Sequence, residues 1–509
     1  MSPPGTGTGF ALPQGVEALI PEHLGHQRWF SGPAPDPADI AVVAADELAS
    51  SAGGAHRLLW AIVSVAPRSS PSGADEEGEA SEAPGETSVG EPPAAGRGEA
   101  EEARRGGPVD AGGGGSGSGE RYQLLIGERP NGEHAQFLNG HEPAVLGSVG
   151  DCYYYDATVD PELALAWFGV ITEGAEKAER FRPITGEQSN TSLVFDDRVI
   201  AKAFRRLREG PNPDVVVTQA LAGVGFQHVA RPVAVWRRDN TDLAFAQQFL
   251  VGGTEGWALA LTSLRDLYAS RPEDPAQAGG DFGAEAARLG TVTAELHLAM
   301  ADALGVGREE FRSEAWPAVL AEIEDRLRAV LGAAYSGTGE ELLEHLRSVD
   351  DPGPGIRAHG DYHLGQVMRT DSGWFVLDFE GEPARGVAER QAFTSAYKDV
   401  TGMLRSFNYA AHYALLEREA HEQAALAPLA DAWEQRNRQA FVEGYLGTSG
   451  LSALLPERPE DRRAVSLAFE LQKALYELAY EQAYRPDWVD IPSTAIQRLL
   501  SGSYYGGDG

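Results

Sequence analysis

The sequence predicts an α+β protein of two lobes, β-rich in its first half and mostly α-helical beyond residue 250. Three observations predict this. A chain of 509 residues exceeds one ordinary domain, so two or three lobes with a substantial core are expected. Short apolar runs broken by turn residues fill the first half, whereas from Ala284 onward apolar residues recur at helical spacing. Hydrophobic residues make up 42% of the chain, yet no stretch approaches the roughly 20 apolar residues of a membrane span.

Composition narrows the possible partners. The formal charge of −34 repels nucleic-acid phosphate and anionic membranes, so neither is expected, and a neutral or cationic small substrate fits better. Cys152 is the only cysteine, which excludes an intrachain disulfide and any multi-cysteine metal site. The start Met1-Ser-Pro-Pro-Gly has neither the basic residues nor the apolar core of a signal peptide, so a cytoplasmic location is expected.

Taken in order, Ile40-Ala-Val-Val43, Arg57–Val65 and Arg121–Ile126 read as strands of one small sheet. Between them, residues 66–119 consist largely of Pro, Gly, Ala, Ser and Glu, too few large apolar residues to offset ordering entropy, and are expected to be disordered. The segment reads as a lengthened hairpin loop, which costs little in closure entropy. Its 11 acidic and 4 basic residues still leave −27 on the rest, so the acidity belongs to the folded body. Ahead of the sheet, Gln27-Arg-Trp-Phe-Ser-Gly32 is expected to pack a helix end onto it.

A second β region follows near residue 150. Gln188-Ser189-Asn190-Thr191-Ser192, then Leu193-Val-Phe195, a polar turn and Val199–Phe204 read as a small-polar loop leading into two strands. Such a loop offers N–H and hydroxyl donors to phosphates. Lys202, set among apolar neighbours in the second strand, either points to solvent or meets an anion, and the acidic motif further on favours a nucleotide phosphate. Leu243–Leu250 is another strand, and around Gln248 the chain is expected to cross between lobes and meet adenine through backbone amides. Helical patterns cover Ala284–Ala301, 315–347, 427–447 and 462–484.

The chemistry concentrates in His359-Gly-Asp361-Tyr-His363-Leu-Gly-Gln366 and Asp378-Phe-Glu-Gly-Glu-Pro383. Phosphoryl transfer needs a group that orients or deprotonates the attacking hydroxyl, and a divalent cation against the nucleotide phosphates. Kinase catalytic loops place an Asp and, five residues on, an amide, then a further Asp after a strand. Asp361, Gln366 and Asp378 follow that order, and Gln366 supplies an amide oxygen one methylene further out than Asn. Hard oxygen donors suit Mg²⁺. His359 is expected to brace the loop by hydrogen bonds, and His363 to face the substrate.

On these motifs, with Gln27-Arg-Trp-Phe30, Asn212-Pro-Asp214, Lys398–Phe407 and Tyr476–Trp488, the chain resembles the aminoglycoside phosphotransferase-like kinases, and within them the actinobacterial maltokinases. The resemblance spans residues 27–488 apart from the acidic segment. It implies a bilobal protein-kinase-like fold: an N-terminal cap subdomain over 1–144, a nucleotide-binding subdomain over 145–250 and a helical C-terminal catalytic lobe over 251–509. It implies transfer of the ATP γ-phosphate to the anomeric hydroxyl of maltose, giving maltose 1-phosphate and ADP for α-glucan (glycogen) synthesis. Association with a trehalose-converting enzyme is a further implied partner.

Carried over by motif, Asp361 is the catalytic base, Gln366 and Asp378 hold Mg²⁺, Lys202 binds phosphate and residues 188–192 cover the phosphates. Glu477, Tyr480 and Arg485 are implied to contact the sugar. One departure stands out: where such sequences carry a Glu shortly after Asn-Pro-Asp, this chain has Val215-Val-Val217. Two alternatives stay open: a glucosamine or other amino-sugar kinase on the same scaffold, and a catalytically silent nucleotide-binding partner of α-glucan enzymes.

Overall fold

In the computed structural model the described residues are 10–30, 33–51, 53–66, 119–133, 135–184, 189–382 and 385–502. They form two compact units. The first takes the described residues up to Gly210 together with Val233–Ala246, and the second takes Pro211–Pro232 and the residues from Gln247 on. No helix of the described residues is long and apolar enough to cross a membrane.

The first unit is built on two sheets. One has the order β1-β2-β3-β5-β4, with β9 also paired to β3: β1 Ile40–Ser50, β2 Arg57–Val65, β3 Glu120–Pro130, β4 Val145–Val149, β5 Cys152–Asp156 and β9 Arg206–Leu207. The other has the order β10-β11-β8-β7-β6: β6 Phe181–Pro183, β7 Asn190–Phe195, β8 Val199–Phe204, β10 Pro232–Arg238 and β11 Thr241–Gln248. The strands β4 and β5, which follow residue 144, thus pair into the first sheet.

The register of β2 and β3 explains how the acidic segment is carried. Val65 pairs with Glu120 and Arg57 with Glu128, a continuous antiparallel ladder whose open end holds residues 66–119. The segment leaves and re-enters at neighbouring backbone positions. The disorder expected for it falls outside the described residues, which resume at Gly119.

Leu58 to Val63 of β2 are all buried, because both faces of the strand are covered. Leu59, Ala61 and Val63 pack with Ile20 and Leu24 of the helix Ile20–Gly25 and with Trp29. Trp29 and Phe30 lie 6.0 and 5.0 Å from the Tyr122 ring, so this helix end does pack on the sheet. On the alternate face Trp60 meets Trp236 of β10 at 5.9 Å. The helix Pro161–Ile171 starts at Asp160, whose carboxylate caps the N–H groups of Glu162 and Leu163, with Pro161 preset for the first turn. Its Phe168 stacks on Phe195 of β7 at 4.2 Å. Each such fully buried aromatic contributes on the order of 1.5–3 kcal/mol.

The second unit is helical around a small sheet of β12 Thr254–Glu255, β13 Val367–Thr370 and β14 Gly373–Val376. Its long helices are Gly256–Ser270, Gly283–Leu304, Trp316–Leu331, Thr338–Arg347, Tyr397–Leu416, Ala420–Leu446, Pro459–Tyr484 and Asp490–Leu500. The pattern over 315–347 resolves into two helices because Gly332 turns the chain with φ 52°. Gly283–Leu304 and Ala420–Leu446 touch backbone to backbone: a Cβ on Gly290 would lie 2.0 Å from the Phe441 carbonyl oxygen, and one on Gly444 would lie 2.0 Å from that of Ala287. Phe282, Phe407 and Trp433 fill the core beside this contact.

Candidate active site

The β13–β14 hairpin assembles the acidic motif. Its register pairs Val367 with Val376, and the ladder continues as the Leu377 N–H donates to the Gln366 carbonyl at 2.9 Å. Gln366 and Asp378, 12 residues apart, therefore meet, and the Gln366 amide donates to Asp378 Oδ2 at 3.2 Å. Asp378 has φ 61°, a left-handed conformation that Asp tolerates better than bulkier residues and that turns the chain sharply after β14. The following N–H, of Phe379, donates to Asp214 Oδ1 at 3.1 Å. Asp214 opens the helix Pro213–Gly223, where Asn212 is the cap.

Asp361 sits on a loop whose backbone is fastened from beneath. The N–H groups of His359 and Gly360 donate to the two oxygens of Asp399 at 2.7 and 2.8 Å. Asp399 is fully buried in the helix Tyr397–Leu416 and also meets His297 Nε2 at 3.1 Å, while His297 Nδ1 meets the Tyr445 hydroxyl at 2.8 Å. Burial alone would raise this carboxyl, but the His297 contact and the loop N–H groups outweigh it and hold Asp399 below the usual carboxylate range. The His359 ring reaches the Leu377 carbonyl at 2.9 Å, tying the loop to the hairpin. That is the bracing role expected of it.

Around Asp361 the charges alternate. Lys473 Nζ lies 4.0 Å from Asp361 Oδ1 and 3.3 Å from Glu382 Oε1, and His363 Nε2 lies 3.8 Å from Asp361 Oδ2. His363 Nδ1 accepts the Gly365 N–H at 3.1 Å, and burial lowers the affinity of its ring for a proton. Burial would raise Glu382, but Lys473, Lys398 and Arg385 hold it down at about 2. Glu382 also accepts from Arg385 at 2.9 Å, and Arg385 continues to Glu322 at 3.1 Å.

The helix Pro459–Tyr484 brings Lys473 to the site, followed by Tyr476, Tyr480 and Tyr484 one turn apart. Lys473 lies 5.1 Å from the Tyr476 ring centre and Arg485 lies 5.1 Å from that of Tyr480. Two of the residues expected at the sugar are engaged within the protein. Glu477 accepts from the buried Arg405 at 2.8 Å, and Arg485 pairs with Glu481 at 2.7 Å, which the Tyr409 hydroxyl also meets at 3.0 Å. Glu477 thus joins two helices, whereas Lys473, on the same helix, reaches within 4.0 Å of Asp361.

In the first unit, Lys202 is half-buried on β8 opposite Ser192, and Thr191 faces Ala203. The turn between the strands has Asp196 and Asp197 at φ 49° and 51°, the tight polar turn expected. Ser189 is exposed, Asn190 and Thr191 are half-buried and Ser192 is fully buried. Gln188 lies outside the described residues. Gln248, in the second unit, is exposed, and its backbone N–H donates to the Arg231 carbonyl at 2.8 Å, so that N–H is not open to adenine.

Residues 180–381 match the family model described as "Phosphotransferase enzyme family". The chain is 30% identical over 348 residues, 65% of its length, to 83% of a glucosamine kinase of Mycolicibacterium smegmatis. It belongs to this phosphotransferase family. A glucosamine kinase of Streptacidiphilus jiangxiensis is 27% identical over 365 residues, covering 66% of this chain and 79% of that one. Among solved structures, a glucosamine kinase in complex with glucosamine, ADP and inorganic phosphate superposes with TM-score 0.60 at 19% identity, covering 96% of this chain and 100% of that chain. A second crystal form of a glucosamine kinase gives TM-score 0.61 at 20% identity over 95% of this chain. The kinase-like fold expected from the sequence, with its β-sheet lobe and helical C-terminal part, is therefore the fold of the chain.

Within this phosphotransferase, sequence reasoning passed over Asp399, Lys473 and Glu382. Asp399 and Glu382 lay inside quoted motifs but carried no spacing that points at a loop backbone or a lysine. Lys473 precedes Tyr476 by three residues, one helical turn, and that spacing is the signal that would have placed both on one face. Among the described residues a separate group, His412, Asp431 and Glu434, has metal-ligand spacing. Both carboxylates meet Arg498, Asp431 at 2.9 Å and Glu434 at 3.8 Å, and Glu434 also accepts from Asn408 at 2.7 Å.

Proposed function

We propose that this phosphotransferase is an ATP-dependent sugar kinase that phosphorylates maltose at its anomeric hydroxyl. The observation that carries the kinase reading is the pairing of Gln366 with Asp378 by the hairpin, beside a loop that Asp399 clamps under Asp361. Asp361 accepts the proton of the attacking hydroxyl, and its clamped backbone keeps that carboxylate in place between substrates. Gln366 and Asp378 offer an amide and a carboxylate oxygen, hard donors that fit Mg²⁺. When bound, that ion offsets the charge of the nucleotide phosphates. Lys202 and the entrance of β7, Ser189 to Thr191, supply the phosphate-facing side of the reading, while Ser192 is fully buried.

The acceptor reading rests on charge. Lys473, 4.0 Å from Asp361, puts a cation where an acceptor hydroxyl must approach the base, which favours a neutral sugar over an ammonium-bearing one. Glucosamine is the second reading, supported by the names of the relatives and by the carboxylates Glu382 and Glu322 nearby.

The test is an ATP-consumption assay with maltose, glucose, glucosamine and kanamycin. Turnover is expected with maltose, and Asp361→Asn is expected to lower it by about 10²–10⁴-fold. Glucosamine turnover without maltose turnover moves the acceptor to the second reading. Equal rates for wild type and Asp361→Asn would overturn the site. Lys473→Gln is expected to raise glucosamine use relative to maltose.

A further inference from the structure

Two buried polar side chains bridge the sheets of the first unit, and nothing in the catalytic reading uses them. Gln123, on β3 of the β1-β2-β3-β5-β4 sheet, called the cap sheet below, is fully buried, and both ends of its amide are engaged. Its Oε1 accepts from Trp60 Nε1 at 2.9 Å, and its Nε2 donates to the carbonyls of Phe204 and Leu243 at 3.0 and 2.9 Å. Its backbone N–H donates to the Arg205 carbonyl at 2.7 Å. The carbonyls it reaches belong to β8 and β11 of the other sheet.

Arg205 immediately follows β8 and is 1% exposed. Its Nη2 donates to Asp156 Oδ2 at 2.6 Å and to Thr158 Oγ1 at 3.4 Å, both in the β5 region of the cap sheet. Its Nε donates to Thr191 Oγ1 at 2.8 Å, and the Trp29 ring lies 5.3 Å from its guanidinium carbon. Taking a guanidinium and a carboxylate out of water is costly, and an apolar pair of the same volume would pack as well or better. What an apolar pair could not do is orient the Thr191 hydroxyl. That residue is the second of β7, where the small-polar loop enters the sheet.

We propose that the cap sheet braces the phosphate-binding loop, with Arg205 as the positioning residue that holds Thr191 and thereby sets ATP affinity without touching the chemistry at Asp361. The guanidinium fork has one arm on the Asp156 carboxylate and one on the Thr191 hydroxyl at the start of β7, so the orientation of each fixes the other. Gln123 prevents the two sheets from sliding, which would break that fork. The proposal rests on the reading of the entrance to β7, from Ser189 to Thr191, as phosphate-facing.

The experiment compares Arg205→Lys, Thr191→Val and the double variant with wild type. It reads KM for ATP, KM for the sugar, kcat, binding of a non-hydrolysable ATP analogue and thermal stability. Each single change is expected to weaken ATP binding about tenfold, the scale of one charge-assisted hydrogen bond. The double variant should be no worse than the weaker single one, and KM for the sugar should stay within about twofold. Additive losses, unchanged ATP affinity in folded variants, or equal changes for both substrates would each overturn the brace. Lys202→Ala separates the two layers of the idea. If it weakens ATP binding while the Arg205 and Thr191 variants do not, the brace alone fails; if none of them affects ATP binding, the phosphate-loop reading fails with it.

Discussion

A buried histidine of the first unit reports how individual groups tie this fold to pH. His23, 2% exposed in the cap, takes a hydrogen bond at Nδ1 from Gln27. Burial outweighs the nearby Asp156 and pushes its pKa from 6.5 to about 4. The unfolded chain therefore binds a proton at this residue over a range where the folded chain does not. Stability is complete above the unfolded value of 6.5 and falls as pH drops toward about 4, by on the order of 3 kcal/mol. Urea unfolding at steps across that range is expected to show a smaller pH dependence for His23→Gln than for wild type. Equal slopes would mean that other groups carry the acid sensitivity. At this scale the sequence was readable where spacing brings groups together: Gln366 and Asp378, 12 residues apart, meet across the hairpin. It was opaque where the role depends on a partner far along the chain, as for Asp399 beneath residue 360 or Glu477 against Arg405.

Helices and strands carry constraints that no single side chain shows. The contact between Gly283–Leu304 and Ala420–Leu446 depends on two glycines whose missing Cβ atoms would each fall 2.0 Å from a backbone oxygen. Backbone cannot rotate aside as a side chain can, so Gly444→Ala must push the helices apart. The expected loss is about 1–3 kcal/mol, read as a lower urea midpoint, and a variant of unchanged midpoint would show that the pair is not under that constraint. Hydrophobic spacing revealed both helices beforehand, because their apolar faces repeat. It could not reveal which faces meet, since Gly444 carries no hydrophobic signal. The division of 315–347 was hidden for a similar reason: apolar spacing runs across Gly332, and only its positive φ shows the break.

For the molecule as a whole, the two sheets and the helical body followed from the change of period along the chain, and the pairing of β2 with β3 across the acidic segment followed from their matching apolar runs. What could not be read was that β4 and β5 complete the cap sheet, because strands so short fit either neighbour. The formal charge of −34 spreads over both units, so removal of the acidic segment leaves most of the repulsion in place. Replacing residues 67–118 with Asn-Gly, a two-residue turn suited to the twist of an antiparallel pair, is expected to leave kcat and melting temperature nearly unchanged. A large loss of turnover in a folded deletion variant would give the segment a part in catalysis.

The same ladder has a practical side. Val65 and Glu120 face each other across one strand spacing, about 4.8 Å, whatever chain is strung between them. A reporter domain whose own ends lie close together could be housed at that gap without parting the two strands.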